Sequence, residues 1–315
     1  MVAQFQKLIV LALLAGSIAW AAILTRLGHP GWGAVAALSI LLGYALFLGL
    51  EFIALHMVQE PGPAPRARAG QLLRAWWGEV LTAPRVFFWR QPFRSRAEPD
   101  HVPDQAGGAR GVVLVHGFVC NRGLWNPWMR ELRAHNTPHI AVNLEPLFDS
   151  IDRYPQIIEA AVARLESITG APVVVVGHSM GGLAIRAWLR QFQADARVHR
   201  VITIGSPHQG TWLARYGHTI NGKEMRQRGP WLTALAAAEP ATRSARFTCF
   251  YGHCDNIVFP AAAGTLPGAE NLHVPGTAHV HMAFQPVVFN EVCRWLSSPP
   301  VSVLTESVDL VTAAR

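Results

Sequence analysis

Charge is scarce in this chain. Asp, Glu, Lys and Arg make up 15% of its 315 residues, the apolar fraction is 50%, and the mean hydropathy of +0.21 is high for a purely soluble protein. Cysteine is scarcer still. Cys120, Cys249, Cys254 and Cys293 include no pair at CxxC spacing and no Cys/His cluster with the rhythm of a structural zinc site. No metal site is expected, no disulfide pattern emerges, and all four are expected to be free thiols. The net charge of +7 comes with no recognisable nucleic-acid-binding module. Its basic excess is local: seven arginines between residues 60 and 96 stand against Glu60 and Glu79. Following a long apolar run, such a belt reads as a cationic flank beside a bilayer, and no nucleic-acid partner is expected.

Two uncharged apolar runs precede that belt, "LIVLALLAGSIAWAAIL" (8–24) and "GAVAALSILLGYALFLGL" (33–50), the second continuing past Glu51 to about Met57. A bilayer crossing takes roughly 20 apolar residues, with about 17 as a lower limit, so both qualify. Lacking Asp, Lys and Arg, they read as an anchor and not as a transport path. Residues 1–57 are therefore expected to form a transmembrane helical hairpin, with Glu51 near the interface. The alternative for the first run is a cleaved signal peptide, led by Lys7 and cut at Ala19-Trp20-Ala21; against it, the apolar run continues past that point. Charge asymmetry predicts both ends, and all that follows, on the cytoplasmic side; a cleaved or only partly inserted first run would instead let the later domain face outward. Residues 58–109 read as a basic, proline-rich connector. Within it "LLRAWWGEVL" fits an amphipathic helix, lying on the membrane with Trp76 and Trp77 at headgroup level or packed on the next domain.

From residue 110 the texture changes. Apolar strands are expected at 111–118, 139–144, 171–179, 198–207, 245–252 and 269–276. Between and after them "WNPWMRELRAH", "YPQIIEAAVARLESITG", "MGGLAIRAWLRQF" and "PVVFNEVCRWLSS" fit helices, with Gly170 at one stop and Pro286 at one start. Such alternation predicts an α/β domain over 110–298, with a mostly parallel sheet and helices on both faces. A tail, 299–315, follows.

The chemistry collects at the strand ends. Gly177-His178-Ser179-Met180-Gly181 is a G-x-S-x-G motif between a strand and a helix, the setting of a nucleophile elbow. Ser179 needs a base, and the base needs an orienting acid, in the chain order Ser, acid, His. Asp255 follows the fifth strand. His279 and His281 both follow the sixth and compete for the base. Backbone N–H groups of Met180, after the serine, and Phe118, after "LVHG", would bind an oxyanion, with Gly117 allowing close approach. Trp125, Leu213, Trp231 and Phe284, with Trp128 and Leu232, suggest an apolar acyl pocket, although each fits a place in the core equally well.

"VVLVHGF", "VVVVGHSMGG", "VITIGSPHQGT", "DNIVFP" and "VPGTAHVHMAFQPVVFNEV" together resemble the α/β-hydrolase fold, and within it bacterial triacylglycerol lipases and related esterases. The resemblance covers about residues 110–297. It implies an acyl-serine mechanism with Ser179, Asp255 and His279, no cofactor, and hydrophobic, lipid-like or medium-chain acyl esters as substrates. In a bacterium the anchoring membrane would be the inner one. The chain departs from the family's secreted lipases in its two apolar helices and in a short "TWLARYGHTINGKEMRQRGPWLTALAAAEPAT" where some carry a large lid. A phospholipase, thioesterase or acyltransferase would use the same triad; a catalytically silent, membrane-anchored scaffold is the reading from another class.

Overall fold

Alternation along the central strands builds the domain. Val113, Val115, Val173 and Val175 bury on one face of the sheet, while Val112, Leu114, Val174 and Val176 bury on the other. A sheet apolar on both faces must be covered on both, which is the requirement of a parallel α/β fold.

The computed structural model describes residues 1–103 and 107–298, so the expected tail at 299–315 lies outside the described residues. Two long helices come first, α1 (Val2–Arg26) and α2 (Pro30–Met57), followed by α3 (Ala69–Ala83) and a π-helical turn, Pro84–Arg90, that runs into α4 (Gln91–Phe93). Then follow β1 (Val112–Val115), α5 (Asn126–Ala134), β2 (His139–Ala141), α6 (Pro155–Thr169), β3 (Val173–His178), α7 (Met180–Phe192) and β4 (Val198–Ile204). After α8 (Ile220–Glu224) and α9 (Pro230–Ala237) come β5 (Phe247–Tyr251), β6 (Glu270–His273), α10 (His279–Met282) and α11 (Pro286–Ser297). The sheet order is β2-β1-β3-β4-β5-β6, parallel throughout. The six strands and the longer helices lie where the apolar pattern places them. Gly170 closes α6 in the left-handed conformation (φ 65°), and Pro286 opens α11. The short α8, α9 and α10 carry too few turns to leave a periodic pattern.

The chain reverses direction across the sheet between β1 and β3, with β2 on one side and β4 to β6 on the other. In open parallel sheets the crevice beyond the carboxyl ends at such a point is where ligands bind.

With 25 and 28 residues, α1 and α2 are about 37 and 42 Å long, against about 30 Å for a bilayer's hydrocarbon core. They pack on each other as an antiparallel pair, and most of their surface is exposed, including Leu8, Trp20, Trp32, Leu46 and Phe47. The amphipathic connector helix, α3, packs on the domain and on α2. Trp76 Nε1 donates to the Ala45 carbonyl at 2.9 Å, and Tyr44 donates to that of Val80 at 3.0 Å. Its other face leaves Leu73, Trp77 and Leu81 exposed at i, i+4, i+8 spacing.

Candidate active site

The turn from β3 into α7 sets Ser179 at φ 55°, ψ −129°, a region that costs a non-glycine residue on the order of 1–3 kcal/mol. The fold holds it there: Ser179 N donates to the Ile204 carbonyl of β4 at 2.9 Å. The flanking glycines let the corner close. A Cβ on Gly181 would stand 2.5 Å from the Val115 carbonyl oxygen, and one on Gly177 would stand 2.6 Å from Ile185 Cδ1. Neither backbone nor a fully buried isoleucine can yield that much in a packed interior. Ser179 therefore sits at the carboxyl end of a central strand, beside the point where the strand order reverses.

Asp255 and His279 arrive from the ends of β5 and β6. His279 Nδ1 lies 3.0 Å and 2.9 Å from the two oxygens of Asp255, and Oδ1 of that aspartate also accepts from the Ile257 and Val258 amides at 2.9 and 2.8 Å. The two carboxylate oxygens thus hold the Nδ1 side of the ring in donor state, which leaves Nε2 as the basic nitrogen. His281 meets other partners: its Nε2 lies 2.8 Å from Gln285 Nε2, and its ring packs against Gly78 of α3. Ser179, Asp255 and His279 are 8, 1 and 4% exposed, so the site is enclosed.

Burial divides the histidines here by charge. It drives His116 down to about 4 and, aided by the His279 charge, holds His178 well below its ordinary value. Both rings are therefore neutral at pH 7. Burial works against the His279 cation as well, but Asp255, its hydrogen bond, Glu79 and Glu51 outweigh it, and the pKa is raised. Neutral His116 orders the first loop: its Nδ1 lies 2.9 Å from the Gly117 carbonyl, and its Nε2 accepts from Leu144 N at 2.9 Å. Phe118 follows, half-buried with its ring 5.9 Å from that of Phe148, and Val119 turns the chain at φ 53°. Met180 opens α7, where a first-turn N–H has no carbonyl within its own helix. A family model described as the alpha/beta hydrolase family matches residues 112–312.

The chain belongs to the alpha/beta hydrolase family. Among solved structures, the lipase BlEst2 of Bacillus licheniformis in mature form is 18% identical, with a TM-score of 0.54 over 63% of this chain and 95% of that one. Its propeptide form gives the same identity and TM-score over 64% of this chain and 52% of that one. Lipase B of Aspergillus fumigatus is also 18% identical, with a TM-score of 0.55 over 81% of this chain and 66% of that one. At such identity the likeness is one of fold. Curated protein sequences offer no match.

The α/β-hydrolase domain does not gather all the residues expected to form an acyl pocket: Trp128 and Phe284 line one cavity of about 540 Å³, and the others line no part of it. Trp125 and Trp128 pack in the core on one face of the sheet, with Phe284 at its margin. Leu232 and Trp231 belong to the opposite face, where Trp231 Nε1 donates to Asp152. Leu213 packs with Phe259 and Ala278, one residue before His279. A large apolar side chain signals burial but not which layer receives it. An apolar groove of about 640 Å³ instead lies between α1 and the loop after β2, lined by Phe5, Leu8, Leu147, Phe148 and Ile220.

Side chains from outside the hydrolase segment also reach the site, with no local sequence signal to announce them. Gln6 of α1 donates to the Val119 carbonyl at 3.0 Å, beside the Phe118 loop. Glu51 of α2 accepts from Asn256 at 2.6 Å. Within the domain itself, Gly205, after β4, has φ 55°, and a Cβ there would stand 2.9 Å from Asp255 Oδ2. Its place directly before "SPHQG" was the one available signal. The four cysteines are free, and among the described residues no group of three or more His, Cys, Asp or Glu is disposed to hold a metal ion.

Proposed function

We propose that this α/β-hydrolase cleaves carboxylic esters of hydrophobic acyl groups through an acyl-serine intermediate, with Ser179 as nucleophile, His279 as base and Asp255 as its orienting acid. The observation that carries this reading is the paired contact of His279 Nδ1 with Asp255, at the same end of the sheet as a strained Ser179. In the first half-reaction Ser179 Oγ bonds to the ester carbon and its proton passes to His279 Nε2. The carbonyl oxygen becomes an oxyanion, accepting from the N–H groups of Phe118 and Met180. Collapse breaks the C–O bond, and the leaving alcohol takes the proton from His279. Water then repeats the sequence and frees the acid.

Hydrophobic substrates are supported by the groove beside Phe148, whose ring packs on Phe118; this reading assigns the groove to the acyl chain. We further propose that α1 and α2 anchor the enzyme in a membrane, the inner membrane of a bacterium, with the hydrolase domain on the cytoplasmic side. The exposed apolar surface of the pair and the outward row of Leu73, Trp77 and Leu81 support it. In this reading residues 1–57 are the anchor, 58–109 a connector that packs on the enzyme, and 110–298 the catalytic domain.

The test is full-length protein in detergent, with and without Ser179→Ala, challenged with a fluorophosphonate probe and a ladder of acyl esters and thioesters. Labelling and turnover that vanish in the alanine variant are expected, with longer acyl esters preferred. A folded wild-type enzyme that neither labels nor turns over sinks the proposal. Faster cleavage of thioesters than of matched oxygen esters would move it to a thioesterase.

A further inference from the structure

The first turn of the histidine helix is held from the far end of the chain. Glu79, on α3 and 2% exposed, accepts from Val280 N through Oε1 at 3.0 Å and from His281 N through Oε2 at 2.9 Å, across 201 and 202 residues of sequence. The preceding amide, His279 N, donates to Asn256 Oδ1 at 3.1 Å, and the amide group of Asn256 donates in turn to Glu51 of α2. Three consecutive N–H groups, 279 to 281, are therefore fixed by side chains. Both supporting carboxyls, Glu79 and Glu51, come from the N-terminal segment, before residue 112.

Packing brings the same parts together. Phe52 and Leu55 of α2, with Ala67, Leu72 and Ala75 on and before α3, form one buried cluster with Cys254, Phe259 and Ala278. Cys254 precedes Asp255, and Ala278 precedes His279. Gly78 lies so close to the His281 ring that a Cβ there would collide with it, which draws α3 down onto the loop.

A buried carboxyl group is costly unless hydrogen-bonded, and an apolar residue in its place would orphan two amides at about 1–3 kcal/mol each. Capping alone accounts for that much. The position of Glu79 does more. We propose that Glu79 is a positioning residue for His279, fixing the imidazole against Asp255 and adding its negative charge to the surroundings of the protonated ring. The groups facing His279 are Asp255 from the loop after β5, Glu79 from α3, Glu51 from α2 and the His178 ring, 4.7 Å away from the end of β3; His281 shares its helix. Burial raises Glu79 itself to about 6, against the pull of its two amide bonds, so it carries charge at neutral pH.

The inference builds on the acyl-serine reading for its turnover readout but has one independent of it. Full-length wild type, Glu79→Gln and Glu79→Asp would be compared in detergent. The His279 titration would be followed by NMR of ¹³C-histidine, assigned with His279→Gln, beside the pH profile of kcat and a thermal melt. Glu79→Gln is expected to move the His279 midpoint and the acid limb of kcat to lower pH. It should also lower kcat about 10- to 100-fold, with KM changed little, as for a misplaced catalytic group. Glu79→Asp, which keeps the charge but withdraws it by one methylene, should fall between. In either variant, if folded, an unchanged His279 midpoint together with wild-type kcat overturns the proposal. If wild type shows no Ser179-dependent labelling, the acyl-serine reading fails, while the NMR midpoint alone still decides the role of Glu79.

Discussion

Asp255 holds His279 with both oxygens of its carboxylate, while one of those oxygens also receives two backbone amides. In Asp255→Asn the amide oxygen would keep the backbone partners and the NH2 would face Nδ1. That selects the tautomer with its proton on Nε2, which cannot accept a proton from serine. A loss of kcat on the order of 10⁴-fold is expected, with the fold intact. His281→Asn, in contrast, should retain kcat within a few-fold. Steady-state kinetics on a chromogenic ester checks both; similar losses in the two variants would contradict the assignment.

Ser179 stores strain. In Ser179→Gly, relief of its positive φ should outweigh the added chain entropy of glycine and stabilise the fold by about 1 kcal/mol while abolishing turnover. Ser179→Thr should do the opposite to stability, since a β-branched residue suits that conformation worse. Thermal melts of the two should bracket wild type; a glycine variant that melts lower would count against strain at this corner.

Gly181→Ala drives a methyl group into the carbonyls of Val115 and His116. Backbone in a central strand does not yield, so a cost of about 1–3 kcal/mol and a loss of serine labelling are expected. Denaturant melts and probe labelling measure the two effects separately.

His116 ties stability to pH. Its folded value of about 4 lies below the roughly 6.5 of a free histidine, so the unfolded chain binds the extra proton between those limits. Its contribution is present above about pH 6.5 and lost as pH falls toward 4; buried His178 acts in the same sense. Glu79 opposes this over part of the window, because its raised value makes the folded state the better proton binder between about 4.5 and 6. His279, raised when folded, adds stability below about 6.5 that is lost as pH rises through its folded value. Urea melts between pH 7 and 4.5 should show net loss on acidification, with a slope reduced by about one proton in His116→Gln. An unaltered slope would remove His116 from the account.

What the sequence made legible followed from local rules. The run of valines before Ser179 can only be a strand buried on both faces, and the glycines around the serine name the corner that follows it. Strand order then sufficed to bring Asp255 and His279 to the same end of the sheet. Contacts between distant segments were not legible in this way. The apolar face of α3 announces that the helix is half buried, but nothing local says that Glu79, on the same helix, caps a turn some 200 residues later. Likewise the size of Trp125 predicts an interior place and is silent on which face of the sheet receives it.

The helix pair meets the domain at both of its roots. Gln6, near the start of α1, is fastened to Val119, and Glu51, near the end of α2, is fastened to Asn256. A tether joined at one point swivels; one joined at two does not. The serine therefore keeps a single height and bearing relative to the long axis of the pair. If that pair stands in a lipid bilayer, the two fastenings set the distance and angle between the serine and the lipid surface.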